Sequence, residues 1–247
     1  MRAFIALLIL ISACSSGEPP PIPAPARRLV ERPPGGGLPA DNAFFDPDFD
    51  LVPFVWWAEI ETDVGYLRRR VEADAPPGGP ILRFDPYKLT PIPVEILGLA
   101  QSVQGPARVE LWLGRPPELP IAAASLVGLS IAGETRAIPL LPEGEAITAQ
   151  GVRWQRVSAH YDEPFVGWSV LRVAVKDGRA FSVSRPVLVA APSGAGLLPR
   201  GSRPATEGEE QAVQRYRRHL LEEAPRASRE LSLAPRPWTP IARAARR

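Results

Sequence analysis

From residue 41 to about residue 192 the chain is written in short runs whose apolar residues recur at every second position, each run cut off by Pro or Gly. Side chains of a strand alternate between two faces, whereas a helix repeats every 3.6 residues, so this texture predicts sheet and disfavours a helical bundle. In ARVELWLG, Val109, Leu111 and Leu113 share one face, and Glu110 and Trp112 share the other. In GVRWQRVSAHY, Val152, Trp154, Arg156, Ser158 and His160 alternate with Arg153, Gln155, Val157, Ala159 and Tyr161. The stretch SVLRVAVKDGRAFSVSRPVLVAA reads as a hairpin, because Asp177-Gly178 is the residue pair that a tight type I′ turn demands. Strands of this length and spacing predict an antiparallel, all-β jelly-roll β-sandwich, large enough to bury a core unaided.

The domain opens on DNAFFDPDFDLVPFVWW, which sets carboxylates beside aromatic rings. Asp46, Asp48 and Asp50 crowd hard oxygen donors together, the donors calcium prefers, but the loop lacks the Gly and the distant Glu of an EF-hand. A solvated turn into the first strand is the favoured reading, with a metal at Asp46 and Asp48 the weaker one. Phe45, Phe54 and Trp57 read as packing residues.

The sequence ahead of this domain carries an address. Arg2 supplies a positive n-region, AFIALLILI an apolar h-region too short to span a bilayer comfortably, and ISAC a small-residue cleavage site. Ile11, Ser12, Ala13 and Cys14 resemble the lipobox of bacterial lipoproteins, which implies that residues 1–13 are a signal peptide and that the Cys14 thiol carries a diacylglyceryl group. Cys14 is the only cysteine, so an internal disulfide is excluded. Ser15 in place of Asp after the cysteine implies, by the same resemblance, the outer membrane. Residues 14–40 are rich in Pro and Gly and read as a semi-rigid lipidated tether.

Within residues 41–192, the order of short motifs resembles the galactose-binding-like jelly rolls of carbohydrate-binding modules. Asn42, Phe45 and Asp46 in NAFFD stand where that family has Asn, Phe and an acidic residue, and Trp57 stands in place of the early Trp. GPILRFD, AQSVQGPARVELWLG, VRWQRVSAHYDE and FSVSRPVLV follow in the family's order. Many such modules hold a structural calcium between the N-terminal acidic residue and an Asp of the closing strand; here Ser184 occupies the second position, which departs from that pattern. The resemblance implies sugar stacking on exposed aromatic rings. Trp112, Tyr161, Tyr87 and Trp168 are the candidate rings, with Glu110, Gln155 and Arg153 as candidate hydrogen-bond partners; for each ring a place in the core competes with that role.

Catalysis has little to draw on. The histidines, His160 and His219, lie in different segments, which leaves a His-rich metal site or a Ser-His-Asp triad without its parts. His160, Asp162 and Glu163 read as a polar strand end, and no cofactor is expected. Residues 193–205 read as a linker. Thr206 and Glu209 form a capping box for a helix over 206–224 with Val213, Tyr216, Leu220 and Leu221 on one stripe. Residues 225–247 form a basic, Pro-rich tail expected to be disordered and drawn to anionic polymers.

The reading is therefore a non-enzymatic envelope lipoprotein, held to the membrane by a lipid anchor, whose sandwich binds polysaccharide. The alternative is an assembly lipoprotein that docks a protein partner through its C-terminal helix. Nucleic acid is not an expected partner of an exported chain.

Overall fold

The computed structural model describes residues 38–39, 41–58, 65–72, 78–87, 92–103, 105–162, 165–191 and 201–232. Cys14, the tether before residue 38, Glu163, and the tail beyond residue 232 lie outside the described residues.

The chain forms a jelly-roll β-sandwich of two antiparallel sheets. Sheet A runs in the order β1 (Trp56–Ala58), β4 (Val94–Gln101), β10 (Val166–Val175), β6 (Ala123–Leu129) and β7 (Thr135–Pro142), with β12 (Arg203–Pro204) beside β7. Sheet B runs β2 (Gly65–Glu72), β3 (Gly79–Pro86), β11 (Phe181–Ala190), β5 (Ala107–Arg115) and β9 (Val152–Tyr161), with β8 (Ile147–Ala149) on β9. Strand β7 joins the two sheets at one side, since Ala137 and Ile138 pair with β6 while Leu141 and Pro142 pair with β9.

The alternation read from the sequence is the one the fold uses. Val109, Leu111 and Leu113 are buried against Ala159 and Val157 in the core between the sheets, and Glu110 and Trp112 point outward. Burying each such aliphatic side chain contributes about 1.5–3 kcal/mol, so reversing a strand's faces is strongly disfavoured.

Two local readings need correction. The segment around Asp177-Gly178 is not a hairpin: β10 pairs with β4 and β6, and β11 pairs with β3 and β5, so the connection crosses from sheet A to sheet B. Gly178 does adopt a left-handed φ of 58°. The Asp177 carboxylate accepts from Arg179 N and from Arg115 at 2.6 Å, so the Asp-Gly pair builds a corner between layers. The aromatic register at the entry also differs by one. Phe44, stacked, and Phe49, edge-on, pack on Trp56 as the buried rings; Phe45 is exposed, while Phe54 and Trp57 do pack against the core half-buried, Trp57 from the outer side of sheet A against Tyr216 and His219. Trp56 wins the core position because Gly98 opposite it leaves the space: a Cβ at Gly98 would sit 2.4 Å from the Trp56 ring.

Helix α1 (Glu207–Ser232) lies on the outer face of sheet A. The Thr206/Glu209 box forms its start, with Thr206 N donating to Glu209 at 2.9 Å and Glu209 N to Thr206 Oγ1 at 3.4 Å. Glu209 is also clamped by Arg203 of β12, through two bonds of 2.7 and 2.8 Å. Ala212 and Tyr216 are buried, Val213 and Leu220 pack beside them, and the Tyr216 hydroxyl donates to the Val55 carbonyl. His219 stacks on Trp57 at 4.8 Å and its Nε2 lies 3.0 Å from the Pro53 carbonyl. The apolar stripe expected to dock a protein partner is thus occupied by this chain's own sheet; Leu221 alone of the predicted four is strongly exposed.

Candidate functional site: the outer face of sheet B

With α1 on sheet A, the outward positions of sheet B remain as the broad face of the sandwich. Strand register fixes what stands there. Going across from β9 through β5 and β11 to β3 and β2, Arg156 stands beside Trp112, then Ser184, Ile81 and Arg70. One pair further along, Trp154 stands beside Gly114, then Ser182, Arg83 and Arg68.

The middle of this face is apolar. Trp154 is buried and packs with Ile81, while Trp112, Ala149 and Val152 rest against them half-buried. Gly114 makes this possible, since a Cβ there would come within 2.9 Å of the Trp154 ring. A glycine inside a strand marks a close approach of this kind, and it is the sequence signal that identifies Trp154 as the floor of the face.

Charge pairs flank the apolar strip on both sides. On the β5–β9 side, Arg108 reaches Glu110 at 2.6 Å and Glu143 at 3.4 Å, and Arg156 reaches Glu143 at 2.9 Å. Burial pushes the Glu143 carboxyl up, but the Ser158 hydroxyl and the guanidiniums of Arg156 and Arg108 outweigh it and hold it below the usual range. His160 on the same side is pulled below the ordinary imidazole range by burial and by Arg108, against the opposing pull of Glu143 and Glu110. On the β2–β3 side, Asp85 takes Arg68 at 2.6 Å and Arg83 at 2.7 Å, with Arg70 at 3.7 Å. The Arg68 guanidinium also lies 5.0 Å over the Tyr66 ring, which meets Tyr87 at 5.2 Å.

The sequence-predicted residues therefore separate. Trp112 and Glu110 lie on this face, and Tyr87 stands exposed at its β3 end. Tyr161 does not: it is 2 % exposed and packs on Phe165 in the core, so it cannot stack on a ligand. Gln155 is also turned inward and donates to the carbonyls of Glu143, Gly144 and Arg156, while Arg153 donates to Leu119 O; both hold loops. Trp168 is exposed on sheet A, well away from Trp112 in the strand order. Sequence reasoning missed Tyr66, Arg68, Arg83 and Asp85, because which strands adjoin β5 is decided by topology rather than by any local pattern.

Asp46 is committed to the entry turn. Its two oxygens accept from Asp50 N at 2.9 Å and Leu51 N at 2.8 Å, and its carbonyl accepts from Trp56 Nε1. Burial outweighs those bonds and pushes its carboxyl up to about 6. Asp48 offers its carbonyl to Arg69 at 2.8 Å, and Asp50 pairs with the same arginine at 3.4 Å. Ser184, in the position where the resembling modules carry an Asp, donates to Pro80 O instead. Among the described residues no group of three metal-ligating side chains converges.

No protein-family model matches the chain, and no curated protein does. Solved structures of low similarity share part of it. The enzymatically active domain of bacteriophage CBA120 tailspike protein 4 aligns with 61 % of this chain at 10 % identity and a TM-score of 0.43; the alignment covers 22 % of the tailspike domain. TmCBM61, solved with β-1,4-galactotriose, aligns with 61 % of this chain at 14 % identity and a TM-score of 0.41, over 99 % of its own length. The C-terminal family 22 carbohydrate-binding module of Clostridium thermocellum Xyn10B aligns with 63 % at 14 % identity and a TM-score of 0.38, over 99 % of its length. At such identities the function has to be read from the face itself.

Proposed function

We propose that the chain is a membrane-anchored envelope lipoprotein whose β-sandwich binds carbohydrate, without catalysis, on the outer face of sheet B. The observation that carries this reading is the half-buried Trp112 on a floor of Trp154 and Ile81, set between two rows of arginine–carboxylate pairs. A sugar presents an apolar ring face and a rim of hydroxyls, so it needs a flat aromatic surface with fixed donors and acceptors beside it. Guanidiniums already oriented by carboxylates supply those donors with little further ordering cost.

The same networks argue against hydrolysis. Glycoside cleavage needs one carboxyl raised so that it can act as an acid, whereas Glu143 is held ionised by its arginines. The anchor and the envelope address rest on the signal sequence and the lipobox ending in Cys14; among the described residues no helix is long and apolar enough to cross a membrane.

The test is binding of residues 15–247 to a panel of neutral and acidic polysaccharides by affinity electrophoresis and calorimetry, with and without a calcium chelator, alongside Trp112→Ala. Saturable binding that the variant loses while keeping its near-native circular dichroism supports the reading. Absence of binding across the panel, or binding indifferent to Trp112, overturns it.

A further inference from the structure

A second feature, on the other sheet, is left unused by the sugar-binding face. Where β10 begins, the ladder to β6 breaks between Val166 and Ser169, and Gly167 takes a positive φ of 76°. This bulge pushes Trp168 out beside Gln101 of β4. Val166 pairs with Leu129 at the end of β6, and the turn that follows, closed by Ser130 N to Glu134 O at 2.9 Å, carries Ile131 at its corner. The four side chains are 60 % (Trp168), 50 % (Val166), 44 % (Leu129) and 76 % (Ile131) exposed. Large apolar groups scattered singly need no explanation, but four on one end of one sheet, with an indole among them, do.

The chain's own path says what lies near this end. The entry segment runs along it: Gln101 N donates to Ala43 O and Phe45 N to Leu99 O, next to the Ser102 N to Gly167 O bond between the ends of β4 and β10. Asn42 ties the entry down, accepting from Leu188 N at 3.0 Å and donating to Pro186 O at 2.9 Å. The described entry segment therefore lies at the end of the sandwich that bears the patch, and under the anchor reading the tether is joined to it there.

We propose that the Leu129–Ile131–Val166–Trp168 patch is a membrane-contact surface, which seats the sandwich end-on against the bilayer that holds the lipid anchor and leaves the outer face of sheet B turned along the membrane normal. The anchor reading explains how the patch reaches lipid; the contact itself is apolar and independent of it. An indole flanked by branched aliphatic side chains suits the boundary between headgroups and acyl chains. Of the charges at this end, Glu134 and Arg136 pair with each other at 3.3 Å and Asp41 and Asp162 are exposed carboxylates, so attraction comes from burial of apolar surface rather than from anionic lipid. A patch of this size binds weakly by itself, and a tether supplies the high local concentration that makes weak binding sufficient.

The experiment uses residues 15–247 without acylation, in a Trp238→Phe background so that the tail contributes no indole. Phosphatidylcholine vesicles, some with brominated acyl chains, are titrated to millimolar lipid; their neutrality removes any contribution from the basic tail. The expected result is salt-insensitive binding with quenching of Trp168 emission, and a fall in partitioning of about tenfold in Ile131→Ser/Trp168→Ser. Both substitutions are at exposed positions, so unchanged thermal melting shows that the loss is not one of folding. Absence of vesicle binding by the parent chain overturns the proposal, as does binding that the double variant retains. Self-association lost in the double variant, with no vesicle binding, overturns it in favour of a second copy of the chain. Loss of vesicle binding with polysaccharide binding intact leaves the sugar-binding reading standing, so the two fail separately.

Discussion

The two outer faces of this sandwich are built on the same backbone and have opposite fates. On sheet A the outward positions Leu97, Leu99, Val127, Val170 and Ala137 are apolar, with one ion cluster among them in which Arg172 of β10 and Arg215 of α1 share Glu95, and α1 covers part of that face with Ala212, Val213, Tyr216 and Leu220. On sheet B an apolar strip of Trp112, Trp154 and Ile81 lies between Arg108, Arg156 and Glu110 on one side and Arg68 and Arg83 on the other, and among the described residues no helix packs on it. The core-facing residues of the two sheets are interchangeable in character. What differs is the outward half of each alternation, and that half decides which face is structural and which is available to a ligand.

The contrast can be broken most forcibly on sheet A. Tyr216→Ala removes a buried ring that packs on Trp57 and closes the helix onto Val55 O, and should cost about 3–5 kcal/mol, read as a lower midpoint in urea. Trp112→Ala, on the half-buried strip of sheet B, should cost well under half of that while abolishing polysaccharide binding. A Tyr216 variant as stable as the parent would mean that the helix is not part of the folded unit.

Two carboxyls sharpen the comparison by pH. Burial pushes Glu209 up, but bonds from Arg203, Thr206 and Ser125 prevail and bring it down to about 2, below its ordinary 4.5. Its contribution is therefore complete above pH 4.5 and is lost as pH falls towards 2, on the order of 3 kcal/mol at full effect. Asp46 has the opposite sign: raised by burial from 3.8 to about 6, it lowers stability as pH rises through that interval. Melting profiles of Glu209→Gln and Asp46→Asn should flatten the acid limb and the pH 4 to 6 limb respectively. If each profile parallels the parent's, the assignments are wrong.

Smaller effects lie along the outer face of sheet B. Gly114→Ala would push its Cβ into Trp154, tilting the floor under Trp112, and should weaken binding more than it lowers stability. Tyr87→Ala, at an exposed ring 5.2 Å from Tyr66, should weaken binding severalfold and leave stability unchanged.

Much of this architecture could be read from residue order. The period of two in ARVELWLG placed Trp112 and Glu110 outward, and the Thr206/Glu209 box marked where α1 begins. Pairing between distant strands was not legible: nothing local distinguishes an Asp-Gly hairpin from an Asp-Gly corner between sheets, and nothing in GYLRRRVE says that its arginines will share Asp85 from the next strand. The choice of Trp56 over Trp57 for the core was decided by Gly98, contributed by β4. Tyr161 shows the limit of alternation, which set it on the opposite face from His160 without saying which of the two faces was the core.

The central claim is that the open face of sheet B, and not the exposed indole of sheet A, holds the ligand. Calorimetric titration of a polysaccharide that binds the parent chain, run in parallel on Trp112→Ala and Trp168→Ala, tests it directly. The account predicts at least a tenfold loss of affinity for Trp112→Ala, about 1.4 kcal/mol, and parental affinity for Trp168→Ala. Parental affinity in the first and loss in the second would place the ligand on the wrong sheet and contradict the account.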